Sequence, residues 1–483
     1  MLEWLTEFLS AEGDLNAFFE QVSNALWGWN FHSLLFALVA CGIFFTIRTR
    51  FVQFRMFPEM IRSLADSVPK EKSKHKHHIS SFQAFAISVA TRVGTGNLAG
   101  VATAIAVGGP GSVFWMWMIA LIGAATAFVE STLAQLYKRK NGESFIGGPA
   151  YYILHGLHCK WMAVLFAVLL ILTFGLSYNS IQSNTITNAM HQAFGLDSTV
   201  VGMILVAISL FIAFGGIHRI AKFSSIIVPV MAIGYFILAL VVVCMNYDLI
   251  PTMFRIIIDD AFGVGQLAGG AIGITMREGV KRGLFSNEAG EGSAPNAAAT
   301  ATVSHPVKQG LIQSLGVFTD TLVVCSCTAF IILLSGLYSN GDYNGIILTQ
   351  YSLESQIGPS GKYFVAMAIL FFAFSSIIGN YYYGEANILF LTRKRWVLQV
   401  FRILSGGVMV MIGALSSLDL VWSMGDVCMA LLTLCNLVAI VLLGKHSFTL
   451  LKDYNTQQRR GIKKPVFKRS SMPAIESDLD AWE

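Results

Sequence analysis

Gly94, Thr95, Gly96 and Asn97 stand halfway along SFQAFAISVATRVGTGNLAGVATAIAV, residues 81–107, an apolar run long enough to cross a bilayer. A spanning helix satisfies its own N–H and C=O groups. Unwinding it at mid-depth is tolerable only where the freed groups line a buried or watery cavity. Such groups hold ions and zwitterions without a fixed side-chain charge, since amides face anions and carbonyls face cations. Small residues also permit close helix packing, which accounts for Gly108-Gly109-Pro110-Gly111 as a turn. It accounts poorly for Asn97, an amide that is costly at mid-depth without partners.

Other polar residues fall inside apolar runs. In Tyr178-Asn179-Ser180-Ile181-Gln182-Ser183-Asn184, polar groups cover several helix faces, as in a cavity wall around Gln182 or as interhelical hydrogen bonds. The adjacent hydroxyls of Ser375 and Ser376, with Asn380 beyond them, suit a hard cation such as Na⁺, or bond back to carbonyls one turn earlier. Arg92, Glu130 and Asp320 are intramembrane charges that need partners. Asp320 is read as a cation or proton site or as the partner of Arg92. Residues 285–296, FSNEAGEGSAPN, are read as an inner gate or a capped loop. GTGNLAG matches a dinucleotide fingerprint only loosely, for no strand precedes it and no ribose-binding acid follows about 20 residues on. HExxH, GxSxG, P-loop and paired-carboxylate motifs are absent, so no enzyme is expected.

The elements that position these groups are membrane helices. The chain is 54% hydrophobic and 13% charged, against about a quarter charged in soluble domains. Eleven apolar runs are read as spans: 31–47, 81–107, 112–136, 161–187, 199–214, 223–245, 264–285, 309–336, 363–390, 397–415 and 418–443. Lys and Arg collect after the first, third, fifth, ninth and last runs, which puts those loops in the cytoplasm, the N-terminus outside and the C-terminus inside. The first thirty residues carry five acids and no Lys or Arg, so no signal-peptide n-region is present. Trp4, Trp27 and Trp29 suit an interfacial helix there. The seven cysteines lack metal-ligand spacing and are read as small core residues, and Lys74-His75-Lys76-His77-His78 as a solvated basic loop near anionic lipid.

A second interruption is read at Gly265–Gly273, about 175 residues after the first. Paired broken spans at matching positions of two inverted halves point to the substrate site of a secondary transporter. The expected divisions are residues 1–80 (interfacial helix, extra spanning helix and basic loop), 81–247 and 248–443 (the two inverted repeats) and 444–483 (cytoplasmic tail).

RVGTGNLAG at 92–100, GGPAYYI at 147–153, FSNEAGEGSAP at 285–295 and FAFSS…YYYGE at 372–385 resemble the alanine or glycine:cation symporter family over nearly the whole chain. The resemblance implies an all-α polytopic membrane protein of about eleven transmembrane helices, with a leucine-transporter-like five-plus-five inverted repeat and one extra N-terminal helix. It implies sodium-coupled import of a small neutral amino acid, alanine or glycine, by alternating access. Gly94, Thr95 and Gly96 would hold the carboxylate. Gly269, Gly270 and Gly273 would form the second break, and Ile181 and Gln182 the side-chain pocket, with Asn380 on its wall. Sodium would sit among the carbonyls of Ala90 and Val93 and the hydroxyls of Ser375 and Ser376, with Asn97 in the same set. The chain departs from the family at Asn380, where many members carry Trp, so that wall is larger and wetter. It departs again at Glu291, where an apolar residue is common.

The expected partners are a small neutral amino acid, Na⁺ and membrane lipid, with no cofactor and no nucleic acid, in a bacterial inner membrane. One Na⁺ moving down about 100 mV releases ~2.3 kcal/mol, and a tenfold gradient adds about 1.4 kcal/mol. The competing readings are a proton-coupled carrier using Asp320 or Glu130, a channel, and a non-transporting sensor.

Overall fold

The computed structural model describes residues 2–28, 33–65, 79–142, 144–214, 217–263 and 269–482. The Lys74–His78 loop, Trp29 and Gly265–Ala268 lie outside them. Each of the eleven apolar runs carries helix over its described residues. In chain order the principal helices are α1 (Leu2–Trp27), α2 (Leu34–Arg48), α3 (Ser81–Arg92), α4 (Gly96–Gly108), α5 (Ser112–Leu136), α6 (Lys160–Phe194), α7 (Ser198–Ala213), α8 (Ile217–Met245) and α9 (Gly269–Asn287). Then follow α10 (Ala294–Thr300), α11 (Pro306–Ser335), α12 (Ser360–Leu391), α13 (Arg395–Leu415) and α14 (Leu418–Arg459). Among the described residues six helices are long and apolar enough to cross a membrane alone: α5, α6, α11, α12, α13 and α14. The part of α8 after Pro229 and the Tyr247–Ala261 helix pass that test only together, bent by 80°.

The helix ends follow from local chemistry. Ser80 and Gln83 close a reciprocal capping box at the start of α3. Gly195 in the left-handed conformation ends α6, and Asp197 accepts the Thr199 and Val200 amides to begin α7. On α7, Val200, Ile204, Ile208 and Phe211 share one face and are all exposed. An apolar face at that spacing, uncovered by protein, is a lipid-facing one, and the molecule is a multi-pass membrane protein.

Two features close the ends of the bundle. The N-terminal α1 lies on α14, with Ser423 donating to Asn16 at 3.1 Å and Trp27 Nε1 donating to the Asp426 carbonyl at 3.0 Å. Trp27 is 1% exposed, so it belongs to the core and not to the interface expected for it. At the other end Arg139–Asn141 (β1) and Ser144–Ile146 (β2) pair antiparallel, and residues 461–482 fold back beside them. The cysteines are mixed: Cys41, Cys325 and Cys327 are buried, Cys159, Cys428 and Cys435 half-buried, and Cys244 exposed.

Candidate functional site

Between α3 and α4 the helix lapses at Val93-Gly94 and resumes through a wide π turn, Gly96–Gly100. The freed amides are satisfied by side chains. Asn97 Oδ1 accepts the Gly94 N–H at 2.9 Å, and Gln182 Oε1 accepts both the Thr95 N–H at 3.0 Å and the Thr95 hydroxyl at 2.6 Å. Gln182 thus holds both Thr95 donors with one side-chain carbonyl. A Cβ on Gly94 would run into Ser376 Oγ, and one on Gly96 would lie 3.0 Å from the Ser286 backbone. Only glycine lets these segments approach so closely.

Of the Gly265–Gly273 interruption, residues 265–268 lie outside the described residues and 269–273 are helical. Gly269, Gly270 and Gly273 open α9, which runs unbroken to Asn287, and the chain leaves the helix at 288–293. There Glu288, Gly290 and Gly292 have φ of 56°, 102° and 81°, and Pro295 stands in the first turn of α10. A glycine run at a helix start does not break that helix, whereas left-handed residues followed by proline do. The EAGEGS segment, read from sequence as a gate or a capped loop, is entirely buried. Its backbone is held by side chains: Glu130 accepts the Gly290 N–H at 3.3 Å, Asn436 donates to the Gly290 carbonyl at 2.9 Å and Asn296 to that of Gly292 at 3.0 Å. The two breaks meet, for Thr91 donates to Glu288 at 3.3 Å and Gly96 packs on Ser286.

The hydroxyls of Ser375 and Ser376 lie 3.3 and 3.0 Å from the Ala90 carbonyl across the α3–α12 interface. Both also bond back to the Phe372 carbonyl, at 2.7 and 3.1 Å. Four neutral oxygens, those of Ala90, Phe372, Ser375 and Ser376, therefore converge in a buried spot near the end of α3, a donor set that suits Na⁺. Asn97 makes its bonds elsewhere, donating to Asp320 Oδ1 at 2.7 Å. Asp320 also accepts from Ser286 at 2.8 Å and Thr321 at 2.9 Å. Arg92 does not pair with it and instead reaches the Gln313 carbonyl at 3.2 Å.

The polar stretch on α6 divides. Asn179, Ser180, Ser183 and Asn184 bond to α13, at Ser405, Met409, Val410 and Gly413 respectively. Ile181 packs on Gly425, Gln182 turns to Thr95, and the Tyr178 ring lies 4.7 Å from that of Phe285. Asn380 donates to Asn179 at 3.2 Å and Asn179 in turn to Ser405, so the Asn179 amide is the middle of a three-helix chain.

Above this level lies an ionic cluster that sequence reading passed over. Arg282 meets Asp426 at 2.8 Å, Lys281 meets Asp426 at 3.0 Å and Glu278 at 3.2 Å, and the Arg282 guanidinium caps the Trp422 ring at 4.2 Å. Trp422 stacks on Phe285 at 4.8 Å. Lys281 and Glu278 are three positions apart, but the Arg282–Asp426 pair joins residues 144 positions apart, so no local spacing reveals it; the signal was Asp426 within the last apolar run.

The family described as "Sodium:alanine symporter family" matches residues 12–469. The chain is 52% identical to the "Probable sodium/glutamine symporter GlnT" of Bacillus subtilis (strain 168), covering 93% of each chain. It is 48% identical to the "Amino-acid carrier protein AlsT" of the same organism over 97% of this chain and 99% of that one. It is 37% identical to a "Sodium/proton-dependent alanine carrier protein" of Bacillus sp. (strain PS3), over 81% and 91%. A transporter and not an enzyme, the chain belongs to the sodium:alanine symporter family.

Proposed function

We propose that this chain is a sodium-coupled symporter importing a small neutral amino acid, alanine or glycine, by alternating access between two inverted repeats, 81–247 and 248–443. The observation that carries the reading is the meeting of two buried helix breaks, with the Ser375 and Ser376 hydroxyls reaching the Ala90 carbonyl beside them. A zwitterion entering there places its carboxylate at the Gly94–Gly96 amides, displacing the Gln182 carbonyl, and its ammonium at carbonyls of the breaks. Na⁺ takes the oxygens of Ala90, Val93, Ser375 and Ser376. The Arg282–Asp426 cluster and the Trp422–Phe285 stack close one mouth. From the placement of Lys and Arg that mouth is the outer one, with the N-terminus outside and the C-terminus in the cytoplasm.

One observation favours a second substrate. Asn380, Asn179 and Ser405 line up as an amide chain beside the α6 pocket residues, and such groups bond a side-chain amide as readily as each other. With a relative named for glutamine at 52% identity, glutamine is that second reading. Counterflow in proteoliposomes with a panel of amino acids, with and without Na⁺, tests both. Exchange of alanine or glycine that needs Na⁺ supports the first reading and exchange of glutamine alone the second; no exchange of any amino acid overturns both.

A further inference from the structure

We propose that Glu291 is a proton-binding residue of the transport cycle, protonated in the closed state and discharged only when the helix break at 288–293 opens to water. The inference rests on the transport reading above. Glu291 is 0% exposed. Its carboxyl meets one donor among the described residues, the Tyr178 hydroxyl, at 3.3 Å to each oxygen. Behind that phenol come Phe174 and Phe285, each 4.7 Å from the Tyr178 ring, and then Trp422. A carboxylate so buried, with one long hydrogen bond and no ion pair, is far costlier than the neutral acid.

The neighbouring acids differ. Glu288 accepts from the Thr91 and Ser293 hydroxyls, Glu130 from the Gly290 N–H and the Asn436 amide, and Asp320 from three donors. The charged and titratable groups that face Glu291 are Glu288 on its own segment, Tyr178 on α6, Glu130 on α5 and Arg92 on α3. Among the described residues Arg92 is their one cation, and its Nε and Nη2 reach no acceptor there. One guanidinium cannot offset three carboxylates, and the acid with the fewest donors keeps the proton.

The stack also supplies a route. Trp422 lines a vestibule with Glu20, Asn24, Glu278, Arg282 and Asp426. Movement of Trp422, Phe285 and Tyr178 would expose Glu291 to its water, from which a proton adds to a carboxylate oxygen. Movement of 288–293 away from α3 would release the same proton to water at the other face. On loading a hydronium O–H bond breaks as the carboxyl O–H forms, and on release the carboxyl O–H breaks as a hydronium O–H forms.

The test uses the full chain in proteoliposomes containing a pH-sensitive dye, with alanine and glutamine as substrates, beside infrared spectra of the purified protein. The parent is expected to move protons with Na⁺-driven amino-acid entry, and Glu291→Gln to move at least tenfold fewer per amino acid with a flattened pH profile. Glu291→Asp should retain proton movement. The infrared difference between the parent and Glu291→Gln at neutral pH should contain a protonated-carboxyl C=O band that shifts in D₂O. No such band, or proton movement by Glu291→Gln equal to the parent's, overturns the proposal. A parent that accumulates amino acid with Na⁺ but moves no proton also overturns it, and leaves the symport reading standing. A parent that takes up no amino acid overturns the symport reading, while the band still decides whether Glu291 holds a proton.

Discussion

The Ser376 hydroxyl donates to the Ala90 and Phe372 carbonyls, bonds that Na⁺, if it binds as proposed, would replace by turning the same oxygen toward itself. Ser376→Ala should therefore raise the Na⁺ concentration for half-maximal uptake about tenfold, equivalent to roughly 1.4 kcal/mol, and shift the amino-acid value much less. Equal shifts in both would indicate a packing defect. Asn380 is the second case, since its amide spends a donor on Asn179 at 3.2 Å while 1% exposed. Asn380→Trp breaks that bond, at about 1–3 kcal/mol for the stranded partner, and fills the wall. Relative affinity should move toward glycine and alanine and away from glutamine. A substrate panel in which all affinities change in proportion would remove Asn380 from the side-chain wall.

At the scale of elements, the first break was legible because its signal is local: two glycines and an amide inside an apolar run. The Gly265–Gly273 reading falls partly outside the described residues, and the break at 288–293 was harder to read because its signal is not density of glycine but backbone sign. GGAIG has more glycine, yet in the first turn of α9 it asks nothing unusual of the chain. EAGEGS was legible as a gate or a capped loop but not as a buried break, and it lies inside because Glu130 and Asn436 come from distant segments, and Asn296 from the next helix, to hold its backbone. The stripe on α6 was legible as polar but not as divided, since which residues face α13 depends on where that helix packs. Asp320 and Arg92 each found other partners for the same reason. Gly292 tests the account. Its φ is 81°, and a Cβ there would come within 2.8 Å of Pro149, 2.9 Å of the Asn436 side chain and 2.9 Å of Phe166. Gly292→Ala should cost roughly 1–3 kcal/mol by strain and overpacking, lowering the thermal midpoint in detergent. Gly142→Ala, also at positive φ but with open space around it, pays only the backbone part. Equal losses from both would mean that the crowding at Gly292 is not real.

Across the whole molecule, the C-terminal segment joins parts that alternating access would have to separate. Trp482 Nε1 donates to the Gln135 and Leu136 carbonyls at 3.1 Å each, at the end of α5, and its ring lies 5.2 Å from that of Phe467. The Phe467 N–H bonds the Ser304 carbonyl at 2.9 Å, between α10 and α11. The Asp478 carboxylate lies 3.7 Å from His158, ahead of α6. Next to this seat His305 joins α14: its Nδ1 accepts the Val307 N–H at 3.2 Å, which leaves Nε2 to donate to Asp453 at 3.2 Å. Both groups lie outside the spanning segments. Burial holds the His305 imidazole below its ordinary value of 6.5 despite the pull of Asp453, and the bond from His305 holds the Asp453 carboxyl below its own. Two depressed values give the same sign. Their contribution is complete above the unfolded histidine value and is lost as pH falls through 6.5 and then through the carboxylate range. Acidification from neutral to about pH 5, below the ordinary histidine value, should therefore loosen the tail, read as faster protease cleavage between residues 461 and 482. Trp482→Ala should do the same at neutral pH, by roughly 2–3 kcal/mol of lost burial and hydrogen bonding. If the tail resists cleavage equally in the parent at both pH values and in Trp482→Ala, the seat is not held by these contacts. If Trp482→Ala frees the tail and pH does not, the aromatic docking stands and the His305–Asp453 pair has no part in it.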